Sequence, residues 1–184
     1  MDILLVTPEL IPFARAGGLG DVSYYLSRAL AERGHRLCVI TPKYRYTEAT
    51  GYPLTRMPEK VTIPLSNRER EAEFFSARLG SEVDVYFVGC DAFYDRDGLY
   101  GNEFGDYEDN AERYIFFSRA VLEFIRLFDL NPEIIHCHDW QTGLVPVYVK
   151  TLYQDLKNLA YTATVFTFHD LGSQGVFMHY DFPI

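Results

Sequence analysis

The chain has 184 residues, 48% of them hydrophobic and 16% aromatic, which allows one domain with a sizeable core and excludes a disordered chain. A formal net charge of −9 argues against nucleic acid and anionic membrane surfaces as partners, so any bound phosphate must be held by local donors. Cys38, Cys90 and Cys137 stand singly with no CxxC pair, the N-terminus lacks a basic leader, and no apolar run is long enough to cross a bilayer. The expectation is a cytoplasmic protein with reduced thiols and no membrane partner.

Residues 3–6 form a short apolar run closed by Thr7-Pro8, the pattern of a buried strand. A connecting segment, residues 9–16, leads to Arg15-Ala16-Gly17-Gly18-Leu19-Gly20-Asp21-Val22, and residues 23–34 read as a helix ended by Gly34. The glycines thus stand between a finished strand and a starting helix. That position offers backbone N–H groups and the positive end of a helix dipole to an anion. The bland alternative is a tight turn with close helix packing and no ligand. A dinucleotide fingerprint fails because Ser23 occupies the place of its third glycine, and a P-loop fails because no Gly-Lys-Ser/Thr follows.

Residues 35–42 supply a second strand, and strand–helix–strand begins a parallel, doubly wound sheet. Alternating runs at 61–65, 73–79 and 83–88, separated by Ser66-Asn67 and Gly80-Ser81, predict a hairpin-rich excursion whose last strand returns to the main sheet. Residues 91–110 combine acids, aromatics and glycine, a loop folded over something and not a disordered acidic tail. Asp95-x-Asp97-Gly98 lacks the ligand and glycine positions of an EF-hand.

A long helix follows, with Tyr114, Phe117, Val121, Phe124 and Phe128 at helical spacing and Glu112, Arg113, Arg119, Glu123 and Arg126 elsewhere. Asp106 or Asp109 can cap its start and Asn131-Pro132 stops it. Residues 134–140 run from an apolar strand into a polar end, residues 142–152 have helical character, and residues 163–170 are another strand with a polar end. The chain finishes at residues 182–184 without an evident closing helix, which suggests a piece of a longer protein.

Ligands of open parallel sheets bind beyond the carboxyl ends of the strands, where the glycine loop, His138-Asp139 and His169-Asp170 all fall. His136 and His138 share a strand face and, with Asp139, could touch a metal, but no third ligand follows at a recognisable spacing, so no metal is expected. Gly172-Ser173-Gln174-Gly175 misses the nucleophile-elbow pattern. His169 is either a structural histidine bonded to backbone or a neutral donor to a sugar hydroxyl or phosphate. Asp139 is either a carbohydrate contact or an N-cap of the helix that follows, and Asp21 carries the same ambiguity on the first helix.

Taken together, Thr7-Pro8-Glu9, Ala14 through Val22, Tyr107-Glu108-Asp109-Asn110, His136-Cys137-His138-Asp139-Trp140 and Phe168 through Gly175 resemble the bacterial glycogen synthase and plant starch synthase family, over essentially the whole chain and in the family's order. The resemblance implies a GT-B glycosyltransferase that moves glucose, with retention of configuration, from ADP-glucose to the non-reducing end of an α-1,4-glucan. Residues 1–184 then correspond to most of the N-terminal, acceptor-side, Rossmann-like α/β domain, with a β-hairpin excursion. The family's C-terminal nucleotide-binding domain, its basic pair and its acid lie outside this chain, so the chain alone should be inactive.

By the same resemblance His169, Asp139 and Asp21 are catalytic, Arg15, Gly17, Gly18 and Asp170 meet the donor, and Tyr100 with Asp139 contacts the acceptor. Neither cofactor nor metal is implied; the partners are ADP-glucose and α-1,4-glucan (glycogen or maltooligosaccharide). Three positions depart from the family. Arg15 replaces the usual Lys, Asp170 the usual Asn, and Ser173 the usual Tyr. A glucan-binding module without catalysis, and a GT-B enzyme using UDP-glucose, remain as alternative readings.

Overall fold

The computed structural model describes residues 1–66 and 68–177; Asn67 of the expected turn and the chain end at 182–184 lie outside the described residues. Strand β1 (Asp2–Val6) runs parallel to β2 (Arg36–Pro42), with Ile3 opposite Leu37 and Val6 opposite Ile40. Helix α1 (Leu19–Glu32) makes the crossover between them. Side chains alternate along these strands. Ile3, Leu5, Leu37 and Val39 pack with Leu30 and Ala31 of α1 on one face, while Leu4, Val6 and Ile40 turn to the other. Each face needs its own cover of helices, which makes the sheet doubly wound.

The excursion follows as expected. β3 (Thr55–Leu65) and β4 (Arg68–Leu79) are antiparallel, β4 is antiparallel to β5 (Val83–Gly89), and β5 returns parallel to β2. A short helix α2 (Asp91–Tyr94) and a two-stranded ribbon, β6 (Gly101–Asn102) with β7 (Gly105–Asp106), occupy the acidic aromatic segment. Helix α3 (Asn110–Leu127), β8 (Ile134–His138), α4 (Leu144–Lys150) and β9 (Ala163–Thr167) complete the described chain. The seven-stranded sheet has the order β3-β4-β5-β2-β1-β8-β9. The order reverses at β1, which lies between β2 and β8, so the crevice beyond the ends of β1 and β8 is the topological switch point.

Three local expectations change. Helix α1 starts at Leu19, inside the glycine stretch, because Gly20 lets its first turn sit on the preceding loop: a Cβ there would come 3.1 Å from the Ala14 carbonyl oxygen. Helix α3 ends at Leu127, ahead of Asn131-Pro132, with Asp129 at φ 50 just beyond it. Part of its polar side is buried. Glu112 and Arg113 are buried, Glu112 accepting from Arg68 of β4, because residues 91–109 fold back over that side. The guanidinium of Arg113 donates to the carbonyls of Phe93 (2.8 Å) and Leu99 (2.9 Å) and to Asn110 Oδ1 (2.6 Å), and lies against the rings of Tyr94, Tyr107 and Tyr114. Asp109 stands at the N-cap of α3 but makes no capping bond; its carboxylate is held by both terminal nitrogens of Arg96 (2.7 and 2.6 Å).

Candidate active site

The loop after β1 is shaped by a residue to which the sequence reading gives no role. Glu9, 4% exposed, accepts the backbone N–H groups of Ala16 (2.8 Å) and Gly17 (3.0 Å) at Oε2 and the Tyr100 hydroxyl (2.8 Å) at Oε1. The glycine stretch therefore does not offer all its donors to a ligand, as expected from its position alone. Two are spent on Glu9, and the first turn of α1, from Leu19 on, supplies the N–H groups that helix geometry leaves without intrahelical acceptors. At Gly17 and Gly18 an added Cβ would meet nothing within 4 Å, and neither has a positive φ. Packing accounts for Gly20; at Gly17 and Gly18 the backbone stands open to approach from outside.

Neither Arg15 nor Asp21 lines this crevice. They pair with each other at 3.0 Å, Arg15 being largely exposed. Asp21 sits in the first turn of α1, and Gly18, not Asp21, holds the N-cap position. An exposed pair of this kind contributes little to stability, so either partner can be given up to a ligand at small cost.

On the far side of the switch point, β8 delivers His136, His138 and Asp139. Asp139 adopts φ 57 and makes no capping bond to the single 3-10 turn that follows, Trp140–Thr142. That excludes the N-cap reading. Its Oδ1 instead accepts the backbone N–H of His169 at 2.7 Å, while its own N–H donates to the Thr167 carbonyl at 3.0 Å, so the ends of β8 and β9 are tied together. With ψ 174 this is the positive-φ extended region that glycine alone adopts readily, so the two bonds to the end of β9 and the residue after it must hold Asp139 in place.

His138 is fully buried, its Nδ1 lies 2.8 Å from Nε2 of the exposed His169, and the two rings are within 10° of parallel. His136 Nε2 meets Thr167 Oγ1 at 2.8 Å, so the strand pair His136 and His138 is engaged by β9 and the loop after it. Among the described residues no group of His, Cys, Asp or Glu has the arrangement of a metal site. Asp170 also turns inward: Oδ1 accepts the Gly172 N–H at 2.8 Å, a turn that the amide oxygen of Asn would make equally well.

These pieces line one cleft of about 540 Å³. Glu9, Gly17, Gly18 and Leu19 form one wall, Tyr100 another, and Asp139, His169, Asp170 and Ser173 the third. Six expected site residues, Gly17, Gly18, Tyr100, Asp139, His169 and Asp170, thus face a common space, with Arg15 and Asp21 paired beside it. Gln141, 5% exposed, lines the same cleft, and its Oε1 has no hydrogen-bond partner among the described residues. Behind it, a separate cavity of about 390 Å³ between α3, α4 and the end of β9 is largely aromatic. Gly175, at φ +61, closes one side against Trp140, where a Cβ would come within 2.5 Å of the ring. The three cysteines are free thiols, and burial pushes Cys38 to about 11 and Cys137 to about 12. They stay protonated at neutral pH and are not nucleophiles.

Burial, reinforced by His136 and His169, lowers the pKa of His138 to about 3. An unfolded histidine titrates near 6.5. The unfolded chain therefore binds the extra proton between these values. The stability gained by keeping His138 neutral is fully present above about pH 6.5 and is lost as pH falls toward 3. At about 1.4 kcal/mol per pH unit, moving from pH 7 to pH 5 should cost the protein about 2 kcal/mol more than it costs His138→Asn. Urea unfolding of both proteins at the two pH values checks this; equal losses would show that His138 does not titrate differently on unfolding.

The model of the starch synthase catalytic domain family matches residues 2–184. The glycogen synthase of Koribacter versatilis and glycogen synthase 2 of Geobacter sulfurreducens are each 42% identical over 177 residues, covering 96% of this chain and 36% of the relative. Among solved structures, the catalytic domain of starch synthase IV from Arabidopsis thaliana, bound to ADP and acarbose, superposes with a TM-score of 0.84 at 30% identity, over 95% of this chain and 35% of that one. The chain spans about a third of the length of these relatives. On sequence, topology and the arrangement at the switch point alike, this chain belongs to the starch synthase catalytic domain family.

Proposed function

We propose that the full-length protein is a glycogen or starch synthase, transferring glucose with retention from ADP-glucose to the non-reducing end of an α-1,4-glucan in the cytoplasm. In this reading residues 1–184 are the acceptor-side domain, and a C-terminal domain encoded beyond them closes the cleft and carries most contacts to the nucleotide. The observation that carries it is the single cleft at the switch point, where the open faces of Gly17 and Gly18 and the start of α1 confront His169 and Asp139 across a space fit for a sugar phosphate.

The diphosphate lies against Gly17, Gly18 and the first turn of α1, where N–H groups and the helix dipole favour an anion. Arg15 exchanges Asp21 for a phosphate oxygen, leaving Asp21 to the acceptor or donor sugar. His169 contacts the transferring glucose, Asp139 holds His169 in place and borders the glucan, and Tyr100 lines the acceptor side. The Asp170 carboxylate, used within its own turn, shapes the donor wall. Cleavage of the glycosyl–phosphate bond builds positive charge on the sugar and negative charge on the leaving phosphate. Positioning and preset dipoles serve such a step better than a strong base. No metal or cofactor is assigned.

The full-length protein should incorporate labelled glucose from ADP-glucose into glycogen, with ADP competing better than UDP. This chain alone should bind a maltooligosaccharide and incorporate none. Binding of glucan without transfer by the full-length protein would replace the enzyme reading with a glucan-binding module. Preference for UDP would move the donor.

A further inference from the structure

His138 and His169 face each other through one nitrogen each, and only one of the two can supply the proton when both rings are neutral. If His169 donated from Nε2, the proton of neutral His138 would sit on its own Nε2. That atom is buried with no partner among the described residues. A buried N–H without an acceptor is among the rarest defects in folded proteins. With the proton on Nδ1 of His138, the unpartnered Nε2 holds only a lone pair. Burial keeps His138 neutral, so it does not escape the choice by taking up a second proton.

We infer that His138 is a positioning residue that sets the tautomer of His169: the buried ring donates Nδ1–H to Nε2 of His169, so that His169 carries its own proton on Nδ1 and meets a ligand there as a donor. The rest of the surroundings supports a fixed arrangement. The His136 ring lies 4.2 Å from that of His138 and is itself held by Thr167, and the backbone of His169 is pinned by Asp139. The charged or titratable groups at the pair are therefore His136 and Asp139. Neither offers an acceptor to Nε2 of His138 among the described residues. The tautomer follows from this geometry; its consequence for turnover rests on the proposed transfer of glucose.

The test is a long-range proton–nitrogen correlation spectrum of the full-length protein with nitrogen-15 histidine, at pH 7.5, the cross-peaks that vanish in His169→Ala identifying that ring. We expect His169 protonated at Nδ1 and unprotonated at Nε2. In His138→Asn the amide N–H takes the place of Nδ1–H, so the His169 pattern should persist. In His138→Phe, which has no donor, it should change to protonation at Nε2, with kcat falling about 10-fold and the KM for ADP-glucose within twofold, and His138→Asn should recover most of the loss. Protonation of His169 at Nε2 in the unmutated protein, or an unchanged pattern in His138→Phe, would overturn the assignment. The expected spectra with unchanged kcat in His138→Phe would uphold it and overturn instead the role of His169 in transfer.

Discussion

Replacing His169 by alanine is expected to slow glucosyl transfer by the full-length protein about 100- to 1000-fold, the loss typical of removing one preset donor from a charged transition state. The fold should persist, less stable by about the worth of one hydrogen bond, roughly 1 kcal/mol. His169 lies beyond the last residue of β9, its ring is exposed, and its backbone N–H, which alanine retains, makes the bond to Asp139. Within the protein, its ring is hydrogen-bonded to His138 Nδ1, and alanine gives up that bond. Because the leaving charge and the strained sugar appear only in the transition state, kcat and kcat/KM should fall together while the KM for ADP-glucose changes little. Initial-rate kinetics, with a thermal melt of the same preparations, separate the outcomes. Near-normal turnover would remove His169 from the chemistry and return it to the structural histidine that its sequence equally allowed.

The sequence carried the sheet more fully than the site. Strands at 3–6, 35–42, 83–88, 134–140 and 163–170 were legible because buried parallel strands are short apolar runs between turn signals, and the excursion because a half-buried hairpin alternates. Three features of the cleft have no periodic signature. Glu9 reaches across from seven and eight residues away to hold Ala16 and Gly17, and its third bond, to Tyr100, crosses much of the domain. Asp139 looks like a cap in sequence because Asp before Trp-Gln-Thr has a cap's composition, yet φ 57 turns its carboxylate toward β9. Arg15 and Asp21, given separate duties by sequence, meet because the turn into α1 folds one over the other. In each case the partner is fixed by tertiary closure. At Asp170, where the family has Asn, the bond within the turn needs only an oxygen acceptor, which Asp and Asn share.

Arg113→Met is expected to lower the unfolding free energy by about 3 kcal/mol, a large share of the roughly 5–15 kcal/mol that holds a typical domain folded. The guanidinium is wholly buried, and no carboxylate among the described residues answers its charge by hydrogen bonding; carbonyl oxygens of Phe93 and Leu99, the Asn110 amide oxygen and three tyrosine rings do. Methionine fills much of the volume but takes this donor from three oxygens, of which the Leu99 carbonyl keeps the Tyr114 hydroxyl at 3.3 Å. An oxygen left bare costs roughly 1–3 kcal/mol, a loss offset in part because a cation no longer has to be desolvated. The damage should be felt where the site is built. Leu99 precedes Tyr100, and the bond from Arg113 to the Leu99 carbonyl holds the segment that sets the Tyr100 hydroxyl against Glu9. Urea unfolding should show the lower midpoint, and amide exchange should quicken across residues 93–107 by a larger factor than in β1. An unchanged midpoint with unchanged exchange would mean that the tyrosine rings alone hold the segment. Lysine should not rescue, since its ammonium is a point charge that cannot span three acceptors set around a planar fork.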